Sequence, residues 1–287
     1  MTAEQALEIL LDALKDSALI FLFVFIVHFI ISFFEDKLAN FLVKKKKAGP
    51  LFGSLFGLIP QCGTSVLGAD LYIKEYITIG TLGAIFLSCS DEALITIISK
   101  GGTTALMSIP LILSKFVIGF IFGMIIDLMF KKQELVIPEG EVVENECHEH
   151  HHKNTKLHKY LFHPLLHSLE VFIYVFIINL ALGFIIGFVG EDNFSNFLLA
   201  NKYLTPLFSS VIGLIPNCAS SLLISELFIS GSLSFGALLS GLLVNAGLGF
   251  IILLKNKEYI KKAFILLGIC FLISIICGYI CCLIFGF

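Results

Sequence analysis

Apolar residues in this chain gather into long runs, with neither the alternation of strands nor the one-sided stripe of soluble helices. The runs cover residues 18–34, 77–99, 105–130, 171–189, 232–254 and 263–287. Each is close to the ~20 residues a helix needs to cross ~30 Å of hydrocarbon. Two further stretches, 51–73 and 206–229, are equally apolar but are interrupted centrally by Pro60 and Pro216. A buried soluble core explains one such run and not eight, so the pattern predicts an all-α integral membrane protein. Residues 18–34 do not read as a cleaved signal. No basic stretch precedes them, and Glu35-Asp36-Lys37 follows without a small-residue cleavage pattern.

The second half of the chain repeats the first. Gly57-Leu-Ile-Pro-Gln-Cys62 returns as Gly213-Leu-Ile-Pro-Asn-Cys218, 156 positions on. At the same offset Ser65 meets Ser221, Asp70 meets Glu226, Cys89 meets Asn245, and Ile79-Gly80 meets Phe235-Gly236. Upstream, Ser17, Phe21 and Phe25 align with Ser168, Phe172 and Phe176 at an offset of 151. The reading is therefore two membrane repeats, 1–132 and 160–287, joined by a polar linker over 133–159.

Lysine placement bears on how the repeats are oriented. If 51–73 and 206–229 cross the membrane fully, the repeats are parallel and Lys44–Lys47 lies opposite Lys131-Lys132. If both are re-entrant hairpins with tips at residues 59–62 and 215–218, each arm is ~15 Å, half a bilayer. In that arrangement 15 of the 19 lysines share one side, leaving Lys15, Lys100 and Lys202 opposite and Lys115 within a span. The positive-inside rule favours the hairpins and makes the lysine-rich side cytoplasmic. The expected fold is then two inverted-topology repeats, each with three spanning helices and one re-entrant hairpin, in the cytoplasmic (inner) membrane. The competing reading is that Pro60 and Pro216 kink ordinary spans.

Composition narrows the function. Hydrophobic residues make up 57% of the chain and charged residues only 14%, against roughly a quarter charged in soluble domains. The net charge of −3 carries little information; no nucleic-acid partner is expected, and no cofactor signature is present. All 19 basic residues are lysine, which reads as lineage bias. Eight cysteines, mostly within apolar stretches, form no secreted disulfide pattern. Without a phosphate-binding loop, any energy input comes from a gradient or a separate subunit. The partners this implies are the lipid bilayer and a small inorganic ion, with protons as a candidate coupling ion.

Several residues could serve such an ion. The tips pair an amide with a thiol twice, as Gln61 and Cys62 and as Asn217 and Cys218, with Ser65 and Ser221 one turn on. An interrupted helix frees carbonyl and amide groups there. Thiolate suits thiophilic metals and metalloids, whereas carboxylate, amide and carbonyl oxygens suit harder ions. A membrane cysteine is otherwise a small hydrophobe. In Ser88-Cys89-Ser90-Asp91-Glu92, read as continuous helix, Ser88, Cys89, Asp91 and Glu92 share an arc of about 160° and face one cavity. A charged group at mid-span costs ~2.5–3.5 kcal/mol even on the lenient insertion scale, so two in succession imply a substrate, a proton, or a structural pair with Lys115 or a hairpin amide. Asn245 supplies an uncharged counterpart in the second half. His28 and Asn179 sit mid-span in the first helix of each repeat, where either could ligate or simply bond a neighbouring helix. Lys115 and Asp127 are too far apart on one helix to pair and are expected to snorkel. In the linker, Cys147, His148, His150, His151 and His152 form a Cys/His-rich tract of metal-binding composition. Cys270, Cys277, Cys281 and Cys282 on the last helix read as a small-residue packing stripe.

Gly-Leu-Ile-Pro-Gln-Cys-Gly (57–63), Ser-Asp-Glu-Ala (90–93), Gly-Leu-Ile-Pro-Asn-Cys-Ala (213–219) and Ser-Phe-Gly-Ala (234–237) together resemble a bacterial family of ten-segment heavy-metal exporters. Its members are also labelled arsenic efflux proteins or manganese transporters and are related to the arsenic permeases. The resemblance runs through both halves and implies metal or metalloid efflux. Counting each hairpin arm as a segment gives five per half and ten overall. Cys89 departs from the family pattern, where a hydroxyl residue is expected. Two function classes follow from the residues: a secondary transporter or permease, and a non-transport membrane assembly factor or metal sensor. Asp91-Glu92 within a repeat favours the transporter.

Overall fold

A computed structural model describes residues 48–60, 63–90, 92–130, 203–216, 218–247 and 249–285, with single helical positions between 10 and 29 and between 165 and 184. No strand occurs among these residues. The first half contributes α1 (Gly49–Gly57), α2 (Gly63–Ile73), α3 (Ile79–Ser88), α4 (Glu92–Ser99), the short α5 (Gly102–Leu106) and α6 (Ser108–Met129). The second contributes α7 (Thr205–Gly213), α8 (Cys218–Ile229), α9 (Phe235–Val244), α10 (Gly249–Lys255) and α11 (Ile260–Phe285). The expected segments 77–99 and 232–254 are therefore each two helices in succession, α3–α4 and α9–α10, with breaks at 89–91 and 245–248.

Local chemistry sets these ends. Pro50 and Pro206 stand in the first turns of α1 and α7, where a missing N–H costs nothing. Thr78 caps α3 by accepting from the Thr81 N–H, and Ser234 caps α9 by accepting from the Ala237 N–H. At the end of α2 the Tyr76 N–H reaches the Leu71 carbonyl and the Glu75 N–H reaches Tyr72, a Schellman closure. The end of α8 repeats it, with Ser232 N–H to Leu227 and Gly231 N–H to Phe228. The left-handed position falls on Gly231 (φ 75°) in one half and on Glu75 (φ 59°) in the other.

Small residues bring the helices close. Gly123 of α6 lies against α3, where an added Cβ would stand 2.8 Å from both the Ala84 Cβ and the Gly80 carbonyl oxygen. Gly278 of α11 meets Ser240 and Gly236 of α9 in the same way. Ser240 Oγ donates within that contact, lying 3.0 Å from the Pro206 carbonyl and 3.1 Å from that of Ser274. Membrane helices associate through such close backbone approach, since lipid offers no hydrophobic drive between them.

The repeat seen in the sequence recurs in the elements. α1, α3 and α6 pack together, and so do α7, α9 and α11. Between the halves α3 touches α9, and the other main contacts are exchanged: α2 packs on α10 while α8 packs on α4. Phe21 and Phe172, aligned in sequence, meet edge to face at 6.1 Å. An exchange of this kind is the contact pattern of a two-fold. Gly80 meets Gly123 and Asp127, while Gly236 meets Gly278 and Cys282. The outer helices thus correspond at an offset of 155, one less than the inner ones, so that Asp127 matches Cys282 and Lys115 matches Cys270.

Among the described residues four segments are long and apolar enough to cross a bilayer: Ile79–Ser99, Gly102–Met129, Phe235–Lys255 and Ile260–Phe285. The first and third are central, with 94% and 82% of their most apolar stretch buried. The other two are peripheral and expose leucines such as Leu113, Leu128, Leu272 and Leu283. So much exposed apolar surface on long helices is incompatible with water and fits lipid. The chain is a multi-pass membrane protein.

Candidate functional site

The helix breaks meet one another. α3 ends at Ser88, and Cys89 turns extended (φ −51°, ψ 121°). The Ser88 hydroxyl donates back to the Ala84 carbonyl at 2.6 Å, and the Ser90 hydroxyl to the Ser88 carbonyl at 3.1 Å. The Ser90 N–H then leaves its own segment and donates to the Gly57 carbonyl, the last residue of α1, at 3.0 Å. The 89–91 break is thereby joined to the one that follows α1.

In the second half Asn245 occupies the break after α9. Its side-chain oxygen accepts from the Gly247 N–H at 2.9 Å, an Asx turn completed by Gly247 at φ 57°. Its amide nitrogen donates to Ser220 Oγ in the first turn of α8, 3.4 Å away. Ser220 Oγ in turn lies 3.0 Å from the Ile215 carbonyl beside Pro216. Across the halves, the Gly249 N–H at the start of α10 donates to Ser65 Oγ on α2 at 3.3 Å. A Cβ on Gly249 would collide with the Ser65 backbone, so glycine is required for that approach.

Lys115 ties the halves together. It is 1% exposed, and its ammonium donates to the Cys89 carbonyl and, at 3.0 Å, to the Leu242 carbonyl of α9. Glu92, 0% exposed, is the first residue of α4, at the positive end of that helix's dipole. Thr96 Oγ1 donates to the Glu92 carbonyl at 3.0 Å. At each break the carbonyl end of one helix and the amide end of the next face the same region. Carbonyl ends suit a cation and amide ends an anion.

Of the sequence candidates, Ser65, Ser88, Cys89, Glu92, Ser221 and Asn245 are all buried. The bonds above bring Ser65, Ser88, Cys89 and Asn245 to the breaks, while the Ser221 carbonyl accepts from Ser225 Oγ within α8. Cys218 begins α8. Gln61, Cys62, Asp91, Asn217, His28, Asn179, Cys147, His148, His150, His151 and His152 lie outside the described residues. Among the described residues no three His, Cys, Asp or Glu side chains form a metal-binding group.

Two expectations need correction. Ser88 and Glu92 do not share a face of one helix, because α3 stops at Ser88 before α4 starts at Glu92. Lys115 and Asp127 do not snorkel. Lys115 turns inward, and Asp127 accepts from the Thr78 hydroxyl at 2.8 Å and the Gly80 N–H at 2.7 Å, bracing the start of α3. The cysteines of α11 do pack. Cys270, Cys281 and Cys282 are buried, and Cys282 Sγ lies against Gly236. The sequence offered Lys115 only as a structural partner for Asp91-Glu92, and its bonds to the Cys89 and Leu242 carbonyls were not foreseen; the signal was a lysine seven residues into a 22-residue apolar helix.

A family model described as "Putative, 10TM heavy-metal exporter" matches residues 2–191 and residues 167–285, nearly the whole chain between them. No curated protein and no solved structure matches the chain. With long apolar helices, buried charges at helix breaks and a match of this extent, the chain belongs to the family of ten-segment heavy-metal exporters.

Proposed function

We propose that the chain is a secondary transporter that exports a heavy metal or metalloid, an arsenic-type species or a divalent metal such as manganese, across the cytoplasmic membrane. The observation that carries this reading is the hydrogen-bonded meeting of helix breaks around buried Lys115 and Glu92. Irregular backbone at membrane depth persists only where protein or a water-filled cavity surrounds it. Discontinuous helices gathered at one place are the usual substrate and ion sites of secondary transporters.

In this reading the repeats, 1–132 and 160–287, are inverted, and 51–73 and 206–229 are re-entrant hairpins. The lysine distribution, the equal order of elements and the exchanged contacts of α2 with α10 and α8 with α4 support it. α1 and α2 have 9 and 11 residues, or ~14 and ~17 Å, which suits half-bilayer arms. Cargo passes Gln61, Cys62, Asn217 and Cys218 at the tips and Asp91 and Glu92 at the α3–α4 break. Ser65, Ser88, Cys89, Ser221 and Asn245 supply the polar wall. A thiophilic cargo uses the two cysteines, and a harder ion uses the carboxylates and amides. Protons are the coupling ion, released when a cation favours ionised carboxylates. Residues 133–159 are a cytoplasmic linker whose Cys147 and His148–His152 adjust metal sensitivity.

The test is flux of arsenite or Mn(II) into proteoliposomes carrying a pH-sensitive dye. Glu92→Gln or Asp91→Asn is expected to abolish flux without preventing insertion, and collapse of the pH gradient to reduce it. Cys62→Ser and Cys218→Ser abolish arsenite movement alone if the thiols are ligands. Undiminished flux in the double amide variant removes the carboxylates from the mechanism. A deletion strain with unchanged sensitivity and metal content across a metal panel removes export itself.

A further inference from the structure

Lys115 does something that neither cargo ligation nor packing requires. It stands seven residues into the 22 of α6 and is buried, with its ammonium spanning two carbonyl oxygens, Cys89 in one half and Leu242 in the other. Cys89 is the C-cap of α3, and Leu242 lies in the last turn of α9. Carbonyls at these positions have no partner within their own helix. Each helix end also carries about half a negative charge. Two such ends aimed at one point attract a cation whatever carries it. Unwound carbonyls and half-helix C-termini are how membrane transporters coordinate Na⁺. The position matching Lys115 on α11 is Cys270, buried and short, so the arrangement holds an ammonium from one half only.

We infer that the Lys115 ammonium is a tethered occupant of a small monovalent-cation site built between the ends of α3 and α9. The chain therefore needs no dissolved Na⁺ or K⁺ at this point. An ammonium and a monovalent metal ion carry the same charge and both fit carbonyl oxygen. Removing the side chain leaves the two helix ends facing each other across a space that a free cation can fill. This goes beyond the transport reading, because it concerns the frame that holds the breaks together and not the cargo.

The experiment uses the full chain purified in detergent, with thermal unfolding followed by circular dichroism. Native protein, Lys115→Ala and Lys115→Met are compared in choline chloride, then titrated with NaCl, KCl or methylammonium chloride at constant ionic strength. The native midpoint is expected to ignore the exchange. The alanine variant is expected to melt lower in choline and to recover saturably in at least one of the smaller cations. The methionine variant, whose apolar chain fills the space, is expected to melt lower and not recover. Indifference of the alanine variant to every cation overturns the inference. So does equal recovery in all three proteins, or an alanine variant that stays unfolded in every salt. None of these measurements involves arsenite or Mn(II), so their failure leaves the export reading standing, and loss of export leaves the cation site standing.

Discussion

Asp127 gives the sharpest stability prediction. Its carboxylate accepts from the Gly80 N–H at 2.7 Å and the Thr78 hydroxyl at 2.8 Å. Because Thr78 spends its one hydroxyl proton on Asp127, the same oxygen is left to accept from the Thr81 N–H, which is the α3 cap. Hydrogen bonds to charged groups contribute ~1.5–3 kcal/mol, and a buried donor left without an acceptor costs ~1–3 kcal/mol. Thr78 can rotate to another acceptor, whereas the Gly80 N–H cannot. Asp127→Ala is therefore expected to lose ~2–4 kcal/mol and Asp127→Asn about half as much. The matching position in the second half is Cys282, whose thiol lies 3.4 Å from the capping hydroxyl of Ser234. A thiol bonds weakly, so Cys282→Ala should lose under ~1 kcal/mol. Asp70→Ala, which removes only a partly exposed pair with Lys74, should stay within ~0.5 kcal/mol. Denaturant unfolding in micelles, followed by circular dichroism, ranks the four. An Asp127→Ala variant no weaker than Asp70→Ala would refute the bracing role.

Gly123→Ala should lose ~1–3 kcal/mol by overpacking the α3–α6 contact, whereas Gly268→Ala, with open space around it, should be neutral or gain up to ~1 kcal/mol; the same unfolding assay compares them. Glu75→Gly relieves a left-handed residue that costs roughly 1–2 kcal/mol, offset in part by the lost contact with Tyr259, so its unfolding midpoint should rise. Burial, and then the Glu75 carboxylate, raise the Tyr259 phenol above the usual tyrosine value. Its stabilising contribution is thus complete below the ordinary phenol pKa and is lost as pH rises through the folded value. Ultraviolet titration should show late ionisation in native protein, and Glu75→Gln should restore only part of the shift.

Most membrane segments were legible because length and apolarity alone define them, and the motif pair at 57–62 and 213–218 made the repeat visible. The breaks at 89–91 and 245–248 were not legible from periodicity. α3 and α9 are buried on every side, so no polar stripe exists to mark where they stop. The signals present were local: serines flanking Cys89, which bond back to the chain, and Asn-Ala-Gly at 245–247, a turn sequence. For Lys115 the sequence left two readings, snorkelling to the surface or pairing inward with Asp91-Glu92, and neither showed that two helix ends inside offer it carbonyl oxygen. The offset change from 156 to 155 carries no short motif, although α6 and α11 share scattered residues at 155, such as Phe116 with Phe271, Gly123 with Gly278 and Leu128 with Leu283.

The exchanged contacts also bear on how the protein is made. α2 is backed by α10 and α4 by α8, and the Gly249–Ser65 bond joins residues 184 apart. At ~5–20 residues per second, the ribosome needs on the order of 10–40 s after Ser65 is synthesised before its partner exists. Through that interval the first half sits in the bilayer with its polar breaks uncovered and the Lys115 ammonium short of its second carbonyl. Such an intermediate is a natural client for membrane chaperones and proteases. Synthesis that stalls between residues 133 and 159 should therefore yield a fragment that is degraded rapidly, and supplying the second half as a separate polypeptide should rescue it.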